Sequence, residues 1–189
     1  MSEKHESFSM GLLYYPITSL GYGRRIGLWF SGCNRNCFGC ITPEFKTFGK
    51  NTNTKDVIDF IEQKFLDDQC DGITISGGEP FEQPEALDEV VRTAKRFTND
   101  ILVFSGYTYE ELRKRDCMYT KNVLDSIGVL IDGEYKQALN DGLGLRGSIN
   151  QNIIILIPEL EGRYSGADIW QRRQEILIVN GKVVVAGIH

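Results

Sequence analysis

The chain has 189 residues, with 21 Lys and Arg against 26 Asp and Glu, for a net charge of −5. Its 41% hydrophobic and 25% charged content is that of a globular chain able to bury a real core, which argues against disorder. The acidic balance gives no support for nonspecific nucleic-acid binding, and apolar runs such as Ile153–Pro158 and Val183–Ile188 are far too short to span a bilayer.

In chain order, Leu12–Pro16 reads as a short edge strand and Arg25–Ser31 as a buried one. Thr54 is the expected N-cap of a helix with Asp56 in its first turn and Val57, Ile58, Ile61 and Phe65 on one face. Gly72–Ser76 is a strand. Pro84 opens a second helix, with Leu87, Val90, Val91 and Ala94 at helical spacing. Ile101–Ser105 is a strand, Tyr109–Lys114 starts a helix, and Val129–Asp132 and Ile153–Ile157 are strands rich in β-branched residues. Glu159–Arg173 has no clear period. Glu175–Val179 and Lys182–Ala186 flank Asn180-Gly181, the signature of a hairpin on a type I′ turn, expected as an antiparallel appendage. Strands alternating with helices predict an α/β fold built from βαβ units around a parallel sheet.

Five cysteines are an odd number, so a fully paired disulfide framework is excluded. The polar stretch Met1–Ser9 has no apolar h-region, so reduced thiols and a cytoplasmic location are expected. The two histidines, His5 and His189, stand at the ends, leaving no internal histidine for acid–base chemistry.

Three of the cysteines, Cys33, Cys37 and Cys40, form a C-x3-C-x2-C loop directly after an apolar strand. Thiolates are soft ligands for iron–sulfur clusters, zinc or copper(I). A zinc site needs a fourth ligand, and no histidine is near. Three thiolates on a four-iron cluster leave one iron open, which is useful for holding a substrate. Structural zinc, or three thiols without metal, are the alternatives. Ser76-Gly77-Gly78-Glu79-Pro80 ends the next strand, where ligands of parallel α/β folds bind and where glycines permit close backbone approach. Alone, that segment reads more readily as a tight strand-to-helix turn.

Together the two loops resemble the radical S-adenosylmethionine superfamily. More narrowly, the chain resembles the anaerobic ribonucleotide reductase activating proteins and related glycyl-radical-enzyme activases. The resemblance runs from Gly21-Tyr22-Gly23-Arg24-Arg25 through Phe104-Ser105-Gly106-Tyr107 and Leu130-Ile131-Asp132-Gly133 to Arg146-Gly147-Ser148-Ile149-Asn150-Gln151. Tyr22 stands where the activases usually carry proline, and Ile41-Thr42-Pro43-Glu44 follows the third cysteine where an aromatic and an asparagine are commoner.

The resemblance implies a partial, open βα barrel with mainly parallel strands over residues 1–158, plus an extension, 159–189, bearing the hairpin. It implies that Cys33, Cys37 and Cys40 ligate one 4Fe-4S cluster whose fourth iron holds S-adenosylmethionine. Gly77, Gly78 and Glu79 would bind the methionyl ammonium; Ser105, Gly106 and Tyr107 would line the same site. Arg146 and Asn150, with Ser148 and Gln151, would fix the cofactor or a partner's peptide. Cys70 and Cys117 are expected to be bystanders. The implied reaction is reductive cleavage of the cofactor to a 5′-deoxyadenosyl radical that takes hydrogen from a glycine of a partner enzyme, with a flavodoxin or ferredoxin as electron donor, no nucleic acid and no membrane. No catalytic side chain beyond cluster and cofactor is required, which fits the missing histidine. Rival readings are a radical enzyme acting on a small molecule or peptide, and a noncatalytic metal-binding module.

Overall fold

A computed structural model describes residues 7–166, 169, 171–179 and 181–188. His5, His189 and the turn residue Asn180 lie outside the described residues.

The strands are β1 (Ser7–Ile17), β2 (Arg25–Phe30), β3 (Asn51–Asn53), β4 (Gly72–Gly77), β5 (Ile101–Phe104), β6 (Val129–Asp132) and β7 (Asn152–Ile155), then β8 (Gln174–Val179) and β9 (Lys182–Gly187). The helices are α1 (Thr54–Asp67), α2 (Pro84–Lys95), α3 (Tyr109–Arg113), α4 (Met118–Ser126) and α5 (Glu161–Tyr164). Seven strands form one sheet in the order β3-β1-β2-β4-β5-β6-β7, and β8 and β9 form a second. The fold is mixed α/β. The central strands β2, β4, β5 and β6 are parallel, and the flanking strands β1, β3 and β7 run antiparallel to their neighbours.

The expected core strands appear almost residue for residue, because continuous burial needs continuous apolar sequence: every residue of β2 is buried. Strand β1 is longer than expected and only half an edge, since β3 pairs with Ser7, Phe8 and Ser9. The N-cap of α1 is Asn53, whose side chain accepts from the Lys55 amide, and Thr54 is the first helical residue. An asparagine one residue earlier competes equally well for that role. Helix α2 starts at Pro84 as expected, and Leu87, Val90, Val91 and Ala94 are fully buried, each large side chain contributing about 1.5–3 kcal/mol. Helix α4 carries no sequence signal strong enough to announce it: its N-cap Cys117 makes no side-chain capping bond, and only Thr120, Val123 and Leu124 are buried.

Strand β7 departs from the expected parallel direction. A parallel partner needs a crossover that returns to the other end of the sheet. The connection 133–151 holds one 3-10 turn, Gln137–Leu139, and no such helix. Its Gly133 amide bonds to Tyr107 O, and β7 then descends beside β6.

Side chains alternate across the sheet. Ile26, Leu28, Phe30, Ile73, Ile75, Ile101, Val103 and Leu130 pack against α1, α2, α3 and α4. On the opposite face Trp29 meets Leu177, Ala186 and Ile188 of the C-terminal segment, while Leu102, Val129 and Ile131 meet Leu160, Tyr164 and Ile169. The hairpin forms in its expected register, with Val179 opposite Lys182, but it packs on the sheet rather than hanging from it. Among the described residues no helix is long and apolar enough to cross a membrane.

Candidate active site

Parallel strands place their following loops at one end. The Cys33–Cys40 loop follows β2, Gly78-Glu79 follows β4, Ser105-Gly106-Tyr107 follows β5, and Gly133-Glu134 follows β6. Backbone bonds lace them together. Gly32 and Cys33 donate to Phe45 O and Lys46 O at 2.8 and 2.9 Å, closing the cysteine loop at its base. Gly78 N donates back to Phe30 O at 2.8 Å and Glu79 N to Gly32 O at 2.9 Å.

Both glycines are required at this seam. Gly77 has φ +110, and a Cβ there would lie 2.2 Å from Phe30 O; at Gly78 it would lie 2.4 Å from Gly32 O. Neither main-chain atom can yield, so any side chain would pry the two loops apart. Thr42, two residues past the third cysteine, donates to Gly77 O at 2.7 Å.

Glu79 is 1% exposed and has no salt-bridge partner among the described residues. Its carboxylate accepts from Gly106 N at 2.7 Å, Ser105 Oγ at 3.0 Å and Phe81 N at 3.1 Å. It thereby ties the loop after β4 to the loop after β5. Burial pushes its pKa up to about 7, against the lowering effect of the donors at Gly106, Phe81 and Ser105. A cation brought to this carboxyl would favour its charged form.

Cys33, Cys37 and Cys40 are free thiols of intermediate exposure. Burial pushes Cys33 and Cys37 up, with the Glu134 carboxylate the next cause at Cys37. Metal binding reverses that preference, because the ligand is the thiolate. Among the described residues no three His, Cys, Asp or Glu side chains converge on a single-ion site. A tetrahedral zinc draws all its ligands to one point, whereas a four-iron cube accepts each thiolate at a different iron. Three soft donors on one loop, beside a buried unpaired carboxylate and two side-chain-free backbone positions, fit a cluster with an amine-bearing cofactor.

The other expected residues divide. Ser105, Gly106 and Tyr107 join Glu79 directly or through Ser105, whose Oγ accepts from Tyr107 N. In the late segment, Gln151 accepts from Gly147 N and Ser148 N and donates to Gly133 O, so it clamps one loop to itself and to the loop after β6. Ser148 Oγ accepts from Lys136 N. Arg146 pairs with Asp141 at 3.0 Å. Asn150 donates to Glu134 O at 2.8 Å, while its Oδ1 is shielded from solvent with no hydrogen-bond partner. Cys70 precedes β4, at the opposite end of the sheet, and its thiol donates to Gly72 O; Cys117 caps α4.

Sequence reasoning passed over a second group. Arg35, inside the cysteine loop, places its guanidinium 4.7 Å from the Tyr107 ring centroid, and Arg115 sits 3.9 Å from the same ring. Glu82 accepts from Asn34 Nδ2 and from the Tyr107 hydroxyl. Only Arg35 had a visible signal, its place between two cysteines; Arg115 and Glu82 are brought in by packing.

The family model for a 4Fe-4S single cluster domain matches residues 19–154. The anaerobic ribonucleoside-triphosphate reductase-activating protein of Escherichia coli (strain K12) is 32% identical over 151 residues, covering 73% of this chain and 93% of that protein. The protein of the same name from Salmonella typhimurium is 34% identical over 150 residues, with the same shares covered. The pyruvate formate-lyase-activating enzyme of Clostridium pasteurianum is 30% identical over 174 residues, covering 85% of this chain and 71% of that enzyme. The chain therefore belongs to the 4Fe-4S single cluster domain family. Within it, the chain falls among the glycyl-radical-enzyme activating enzymes of radical S-adenosylmethionine type, whose cofactors are an iron–sulfur cluster and S-adenosylmethionine.

Proposed function

We propose that this protein generates a glycyl radical on a partner enzyme of the anaerobic ribonucleotide reductase type. The observation that carries the reading is the seam between the cysteine loop and the Gly77-Gly78-Glu79 loop. There, three free thiols stand beside a buried carboxylate whose bonds hold the next strand's loop in place. When bound, the cluster and S-adenosylmethionine supply an electron and a carbon radical able to take hydrogen from a glycine Cα.

The chain's own residues do the rest. Cys33, Cys37 and Cys40 hold the cluster. Gly77 and Gly78 offer bare backbone to the methionyl group, and Glu79 supplies the negative charge that an ammonium needs while fixing Ser105 and Gly106. Tyr107, between two guanidinium groups, walls this end of the site. Asn150 brings a shielded acceptor, Oδ1, that a cofactor hydroxyl or amine would satisfy. Arg146, held by Asp141, shapes the loop that carries Asn150. The four parallel strands act as the wall of a partial barrel spanning residues 1–158, with 159–189 as an added layer. The reductant is a flavodoxin or ferredoxin in the cytoplasm.

The test is anaerobic incubation of the reconstituted protein with S-adenosylmethionine, reductant and anaerobic ribonucleoside-triphosphate reductase, read by electron paramagnetic resonance. A glycyl radical doublet on the reductase is expected. Cofactor cleavage without that signal for any glycyl radical enzyme offered would turn the reading toward a small-molecule or peptide substrate.

A further inference from the structure

The loop between β6 and β7, residues 133–151, packs against the cysteine loop. The Tyr135 backbone bonds to the Cys37 sulfur. A Cβ on Gly39 would lie 2.5 Å from Gln137 Oε1, and one on Gly147 would lie 2.7 Å from Ile41 Cδ1. Gly39 and Ile41 are the two chain neighbours of Cys40, so this ligand is braced by the loop on both sides. The loop itself is poorly held by its own backbone. It has one 3-10 turn, Gln137–Leu139, and between described residues no backbone–backbone hydrogen bond involves residues 141–147.

The support comes from beyond the family match, which ends at residue 154. Arg172 donates to Asn140 Oδ1 at 2.7 Å, to Arg146 O at 2.8 Å and to Leu143 O at 3.4 Å. These three acceptors span the weakly held stretch. A planar guanidinium, with donors on separate nitrogens, holds acceptors spread this way better than the single nitrogen of a lysine. Arg172 is placed by anchors on either side of it. Arg163 and the Tyr164 hydroxyl bond to Asp100 at 2.9 and 2.5 Å, and Glu175 accepts from the amides of Thr18 and Ser19 at 2.6 and 2.8 Å.

Resting on the function proposed above, we propose that Arg172 is a positioning residue for the cluster. It holds residues 140–146 closed, so that the loop stays against the cysteine loop and keeps Cys37 and Cys40 in place on the iron. Without it this loop opens locally, at far less cost than unfolding the sheet, and lets water and competing ligands reach the thiolates. The cysteines remain, so the cluster still assembles but is lost faster.

The test measures anaerobic release of iron from the reconstituted full-length protein to excess ferrozine, alongside the decay of the iron–sulfur absorbance, with thermal melts to confirm folding. Arg172→Met should start with wild-type iron content and release it about tenfold faster or more, the worth of one or two lost hydrogen bonds. Arg172→Lys should release it at an intermediate rate. Arg163→Met cuts a tie of the same segment but leaves the acceptors on residues 140–146 alone, and it should stay within about threefold of the wild type. A wild-type rate in Arg172→Met overturns the inference. So does an Arg163→Met rate equal to that of Arg172→Met, because general loss of stability would then be the cause. Should Arg172→Met fail to fold, Arg172→Lys carries the test, and a wild-type rate there overturns the inference. A wild-type protein that assembles no cluster instead overturns the functional reading on which the inference rests.

Discussion

The two ends of the parallel strands handle charge in opposite ways. At the far end Arg25, fully buried, spends every donor: Nε on Thr74 Oγ1, the two terminal nitrogens on Asp100 Oδ1, Asp100 O, Ile73 O and Tyr22 O. Asp100, 1% exposed, also receives Arg163 and Tyr164. At the cysteine end Glu79 is as deeply buried, but its hydrogen-bond donors are all neutral, Arg115 acts on it without a salt bridge, and three thiols stand free nearby. A charge buried with its countercharge serves structure; one buried without it waits for a ligand.

The sharpest way to break this contrast is at the thiols. Changing any one of Cys33, Cys37 or Cys40 to Ala should remove bound iron and the broad iron–sulfur absorbance, and abolish cofactor cleavage. Turnover retained by such a variant would remove the site from this loop. At the other end, Arg25→Met should leave Asp100 short of a buried partner and cost about 3–5 kcal/mol in urea unfolding. A loss as small as that of a surface pair would mean that the network is not what seals this end.

Glu79 tests the contrast through pH. Its carboxyl is harder to ionise in the folded chain than in the unfolded one. The stability it lends is therefore full below its ordinary value of 4.5 and is lost as pH rises through about 7. The cluster-free protein should lose a few kcal/mol of stability between these values, and Glu79→Gln should flatten that slope. Parallel slopes in the two proteins would show that Glu79 ionises freely. The smallest effects belong to Cys70→Ser and Cys117→Ser, which should leave iron content unchanged and shift stability by about 1 kcal/mol or less. Iron lost from either would add a ligand to the three assigned.

The C-terminal hairpin shows where sequence reading stops. Asn180-Gly181 and its flanking β-branched runs announce the turn and even the register, because both are local. They do not tell that Leu177 and Ala186 pack on one side while Ile176, Ile178, Val183 and Val185 face solvent on the other. The sequence pattern is apolar on both sides, so the buried face was decided by what the rest of the chain offered. Removing Glu175–His189 would uncover Leu12, Ile17, Leu20 and Trp29, which makes the hairpin part of the fold.

By itself the sequence determined the parallel core, the cysteine loop and the Gly77-Gly78-Glu79 loop, since continuous apolar strands and fixed ligand spacing are properties of neighbours along the chain. Only the tertiary structure decided the rest: that β7 turns antiparallel, that Glu79 reaches the loop after β5, that Arg115 and Glu82 meet at Tyr107, and that Arg172 holds the loop after β6. Most of these contacts join residues separated by tens of positions, where no period or spacing carries information and packing alone selects the partner.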